Sequence, residues 1–155
     1  MRAFLTLAIA WLFSPEALAC EGSIVGKWQS DSEMTMSFNR SHARLEQGQD
    51  DFLVTLMGKM AIEFDGKKLH IDMPDTEVMV KGKLKPFKGF EESKPYKVLF
   101  CTKRMIVIQS TESFTNEVVV TTYFFVGQDV MWAYTDSNNT KLPDLNIREY
   151  FKRVN

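Results

Sequence analysis

Arg148 and Tyr150 stand two residues apart near the end of the chain. In an extended segment, alternate residues share a face. A guanidinium fork beside a phenol can hold a carboxylate in an apolar surround, because the fork matches the two carboxylate oxygens. Trp132 and Tyr134 are also two apart, in the preceding strand-like run, and could line the same space. These four residues form the candidate ligand-binding set. Each has a plainer reading. Arg148 and Lys152 fit a solvated strand face, and Trp132 and Tyr134 fit an ordinary core.

Other chemistry is sparse. His42 and His70 lie far apart, and no carboxylates at metal-ligand spacing accompany them, so no metal site is assigned. The chain has no Gly-x-Ser-x-Gly, phosphate loop or HExxH. Cys101 sits in an apolar run and is a poor nucleophile, because a thiolate needs polar or cationic surroundings. No catalytic residue and no cofactor follow, and the chain reads as a non-enzyme. Lys81, Lys83, Lys85 and Lys88 form a basic stretch that could meet an anionic lipid surface. A solvated hairpin is the commoner fate of such a run. The 19 Lys+Arg against 20 Asp+Glu leave a net charge of −1, without the basic surplus of a nucleic-acid binder.

These side chains need a scaffold, and composition bounds it. The 155 residues suit one domain. The 45% hydrophobic content and 12% aromatic content exclude a disordered or fibrous chain. Residues 1–19 read as a secretory leader. Arg2 is the charged start, an apolar run follows to Phe13, Pro15 breaks it, and Ala17-Leu18-Ala19 is an A-x-A cleavage site. The expected mature domain is 20–155, secreted or periplasmic. It begins at Cys20, which leaves two options. Cys20 and Cys101 pair as a disulfide in the oxidising compartment, or Cys20 is acylated and brings the chain to a membrane surface. Ala17 stands where a lipoprotein signal has Leu, which favours the soluble product. Asn39 and Asn138 each begin a glycosylation sequon.

Within 20–155 the pattern is that of short strands. Residues 24–30, 33–39, 60–64, 69–73, 76–83, 96–102, 105–110, 117–126, 129–135 and 147–154 read as strands. One helix is expected over 43–58, from apolar residues at helical spacing. Asp65-Gly66 marks a hairpin turn. Loops are expected at 85–95 and 136–146. Tight turns between successive strands imply antiparallel pairing, and closure would remove exposed edges. The expected fold is therefore an up-and-down β-barrel of about 8–10 strands with one helix after the second.

Val25-Gly26-Lys27-Trp28 lies at the start of the first strand. A Gly-x-Trp there resembles the entry signature of the lipocalins and their calycin relatives. The resemblance implies a small barrel whose interior takes an apolar or amphipathic molecule. It also implies that Trp28 packs at the closed end beside an Arg of the last strand, with Arg153 and Arg148 as candidates. Arg148-x-Tyr150 is similar to the carboxylate anchor of fatty-acid-binding proteins. Those proteins carry a helical pair directly after the first strand. The function implied is a binding protein for such a ligand. The competing reading is an envelope-associated interaction or inhibitor module whose barrel is filled by its own side chains.

Overall fold

The computed structural model describes residues 23–111, 117–135 and 144–154. The leader, Cys20, Asn138 and most of the 136–146 loop lie outside these residues. Strand β1 (Gly26–Ser30) is followed at once by helices α1 (Ser32–His42) and α2 (Gln47–Leu56). Then come β2 (Ala61–Phe64), β3 (Lys68–Met73), β4 (Thr76–Val80), β5 (Lys83–Phe87), β6 (Phe90–Pro95) and β7 (Lys97–Cys101). Strands β8 (Met105–Thr111), β9 (Val118–Phe125), β10 (Val130–Tyr134) and β11 (Arg148–Val154) complete the order.

Nine strands form one antiparallel sheet in the order β6-β3-β2-β1-β11-β10-β9-β8-β7. The first strand lies beside the last, with Trp28 opposite Arg153 and Ser30 opposite Phe151. The two end strands, β6 and β7, are separated by Tyr96 alone. The chain from Phe90 to Cys101 thus pairs first with β3 and then with β8. This bridging brings the sheet round on itself as a nearly closed barrel. Strands β4 and β5 form a separate hairpin against α2, where Met79 N donates to Thr55 Oγ1 at 2.9 Å. Asp65-Gly66 makes the turn from β2 to β3. Oδ1 of Asp65 accepts from Lys67 N and Lys68 N, and Gly66 takes a positive φ of 92°.

The helices correct the expectation from the sequence. The 33–39 segment is not a strand but the body of α1, and the second helix covers Gln47–Leu56 rather than 43–58. Both follow the first strand, not the second. The alternation over 33–39 misled because Met34 and Phe38 are four apart, a spacing that suits both period two and a helix. Asp31 decides the matter locally. Its Oδ1 caps the helix by accepting from Met34 N at 2.8 Å, and Glu33 complements the dipole in the first turn. The loop expected at 85–95 is another correction, since most of it is strand β5 and β6. The strand expected over 76–83 ends at Val80 and turns through Lys81 and Gly82.

One apolar cluster occupies the barrel. Ile24, Trp28, Ile106, Ile108 and Met131 are fully inaccessible, and Phe64 and Phe151 nearly so. Phe64 meets Tyr96 and Tyr123 edge-on at 5.3 and 5.5 Å, an arrangement that matches ring edges to ring faces.

Candidate functional site

Two places in the molecule gather chemistry: the polar residues inside the barrel and the outer wall of its C-terminal strands.

Inside, Arg153 lies over Trp28, with 4.2 Å from guanidinium carbon to ring centroid. Its Nη1 and Nη2 donate to Val25 O and Ser23 O, each at 2.7 Å. The guanidinium thereby ties the first strand to the last at one end of the barrel. Gly26 makes room for it. A Cβ at Gly26 would stand 2.7 Å from Nη1, and φ there is 129°. Trp28 Nε1 donates to Ile24 O at 2.8 Å, which satisfies the buried indole. Gly26, Trp28 and Arg153 are therefore one structural unit.

Glu149 also points inward, and it is 4% exposed. Ser30 Oγ donates to its Oε1 at 2.6 Å, while Gly58 N donates to Ser30 Oγ at 2.9 Å. Burial pushes the Glu149 carboxyl up to about 7, against the lowering pull of the Ser30 hydroxyl. Burial also raises Tyr123, and the Glu149 charge adds to this.

Arg148, Tyr150, Trp132 and Tyr134 come together, but not in a cavity. Glu149 and Phe151 of β11, and Met131 and Ala133 of β10, face inward. Strand alternation then turns the four candidates to the outer face. This corrects the expectation that they line the barrel. Trp132 stands opposite Tyr150 and Phe124, and Tyr134 opposite Arg148.

Helix α1 completes the outer group. Its buried polar residues Thr35 and Asn39 are four apart and meet the β11 backbone where β1 has ended. Tyr150 N donates to Thr35 Oγ1, and Arg148 N to Asn39 Oδ1, each at 2.9 Å. Asn39 Nδ2 donates back to Arg148 O at 2.9 Å. The helix thus replaces a strand with side-chain amide and hydroxyl groups, leaving no backbone group of this stretch unpaired. The residue before Asn39, Phe38, is laid over the Arg148 side chain. The guanidinium carbon sits between Phe38 and Trp132, 4.1 and 3.8 Å from their centroids. His42 stacks on Phe38 at 4.5 Å, and Phe124 on Trp132 at 4.2 Å. The result is a run of face contacts, His42–Phe38–Arg148–Trp132–Phe124, flanked by Tyr134 and Tyr150. Each cation–π contact is worth on the order of 1 kcal/mol.

The stack continues into an apolar wall. Phe100 on β7 and Val118 and Val120 on β9 are 53%, 63% and 56% exposed. They lie on the same outward side of the barrel strands as the aromatic stack.

The remaining candidates are placed as follows. His70 Nε2 meets Asp65 Oδ2 at 3.2 Å, and His42 is in the stack, so the histidines are apart. Among the described residues no group of three His, Cys, Asp or Glu could hold a metal ion. Lys81, Lys83, Lys85 and Lys88 are exposed on the β4–β5 hairpin and its flank. Asn39 is fully buried with both amide atoms engaged, so the fold excludes a glycan there. Cys101 is half-buried at the end of β7, and its pairing with Cys20 falls outside the described residues. An open cleft of about 490 Å³ crosses β1, β2, β3 and β6, and its lining mixes Trp28, Ile62 and Ile71 with Lys27, Glu63 and Glu91. Sequence reading missed Phe38, Asn39, Thr35 and Phe124. The signal for the first three was Asp31 as a helix cap.

Compared with protein-family models, with curated proteins and with solved structures, the chain matches none.

Proposed function

We propose that this protein is a secreted or periplasmic, non-enzymatic interaction module that engages a partner protein through the outer wall of β7 to β11. The observation that carries this reading is the division of its apolar surface. The barrel interior is taken by inaccessible side chains, while large apolar residues stand exposed on the outside. A ligand carrier shows the reverse, an enclosed apolar space of several hundred Å³. Of the two functions weighed from the sequence, the filled-barrel module therefore has the better support. The small apolar or amphipathic ligand has the weaker one.

The fold resemblance is refined in the same reading. Neighbouring strands follow chain order around the barrel, with the β4–β5 hairpin inserted, and the first strand pairs with the last. This supports a calycin-like up-and-down barrel. A helical pair directly after β1 leans toward the arrangement of fatty-acid-binding proteins rather than lipocalins. The filled interior departs from both.

The test is selection of binders from a random-peptide display library on the immobilised mature chain. Selected peptides should lose at least about tenfold in affinity, roughly 1.4 kcal/mol, on the exposed-site variants Phe100→Lys and Val120→Lys. Peptides indifferent to both substitutions would contradict the reading.

A further inference from the structure

We infer that the partner of this outer wall presents an acidic side chain flanked by apolar residues, its carboxylate docking on the terminal nitrogens of Arg148. The inference rests on the outer-wall reading above and adds the chemistry of the anchor.

A guanidinium has five N–H donors in its plane. Phe38 and Trp132 cover both faces of Arg148, which leaves only the rim for hydrogen bonds. That rim is almost unused. Nη2 reaches Tyr134 Oη at 3.4 Å, the outer limit of such a bond. Nε is buried and has no partner. An incoming acceptor therefore meets the terminal nitrogens, whose donors are the accessible part of the fork.

Two other arginines packed on the fold differ. Arg40 holds Asp50 with two bonds of 3.0 Å, and Arg153 has three carbonyls and Asp129. Among the described residues no carboxylate pairs with Arg148. The stack also fixes the fork before a partner arrives, so little side-chain entropy remains to be lost on binding. Apolar and aromatic surroundings strengthen a charge-assisted pair by limiting water.

A carboxylate fits better than a phosphate group. Phosphate carries nearly two charges and favours a second cation. Lys152, next but one along the same face from Tyr150, is tied to Asp31. One fork with one charge matches one carboxylate.

The experiment uses the mature chain, isotope-labelled for NMR, and two blocked tripeptides, acetyl-Leu-Asp-Phe-amide and its Asn twin. The Asp peptide should shift the Trp132 indole N–H and the Arg148 Nε–H. The Asn twin should bind at least about tenfold more weakly. Arg148→Lys keeps the charge but not the planar fork, and should lose most of that preference. Equal shifts of the outer wall by both peptides would overturn the carboxylate anchor and leave the outer-wall reading intact. Failure of the Asp peptide to move Trp132, in protein that passes the library test above, would also overturn the anchor.

Discussion

Asn39 brackets the main chain of Arg148, accepting from its N–H and donating to its carbonyl, both at 2.9 Å. One amide on α1 thereby does what a neighbouring strand would do, and it sets the residue before it over the guanidinium. Fold and candidate site meet at this pair.

Asn39→Ala should therefore act on both. It leaves a backbone donor and acceptor of Arg148 unpaired, at a cost of about 3 kcal/mol. Urea unfolding checks the loss of stability. The NMR lines of Phe38 and Trp132 should shift together as the stack loosens. A stable variant with an unchanged stack would show that α1 is held instead by Met36 packed on Leu53 of α2 and on its C-cap Met57.

Glu149 makes stability depend on pH. The folded chain holds this proton up to about 7, whereas the ordinary value is 4.5. Between these values the folded state binds more protons than the unfolded one, so stability falls as pH rises. The contribution is fully present below about 4.5 and lost above about 7, a difference on the order of 3 kcal/mol. Glu149→Gln keeps an acceptor for Ser30 but cannot ionise. It should flatten that part of the profile and exceed the parent in stability at about pH 8. Unfolding free energies measured across this range decide the matter, and an unchanged slope in the variant would assign the dependence to other groups.

Gly26→Ala tests the unit of Gly26, Trp28 and Arg153. The new Cβ meets Nη1 of a guanidinium held by two carbonyls and a ring, and its backbone is in a region that side chains disfavour. The expected loss is about 2 kcal/mol. Arg153→Ala should relieve the clash, so the double variant should lose less than the sum of the two. Strict additivity in thermal melts would mean the two sites are independent.

The barrel was legible because period-two alternation over 105–110, 117–126 and 147–154 leaves few options, and Asp65-Gly66 marks its own turn. The Gly26-x-Trp28 pattern pointed to a real packing unit. The helices were less legible. Met34 and Phe38 satisfy strand and helix spacing equally, and only the cap at Asp31 separates them. The candidate site was half legible. The four aromatic and basic residues do converge, but which face of a strand lies inward depends on the whole barrel. Glu149, a charged residue by type, takes the interior position, and this turns Arg148 outward. Phe38 joined them only through α1, and no pattern local to β11 contains that contact.

The cysteines give a prediction that needs no structure of the leader. After export, Cys20 and Cys101 should be joined, so the mature chain should weigh two hydrogens less than its reduced form. An acyl-bearing mass would instead make Cys20 a lipid anchor and contradict the bridge.

A barrel filled by its own side chains is what separates an interaction module from a ligand carrier. Native mass spectrometry of the exported protein, purified without detergent and then challenged with excess long-chain fatty acid, tests this. The prediction is the mass of the polypeptide alone, before and after the challenge. A molecule retained one to one, and released by enlarging Ala133 to Phe inside the barrel, would contradict the account and make this a ligand carrier.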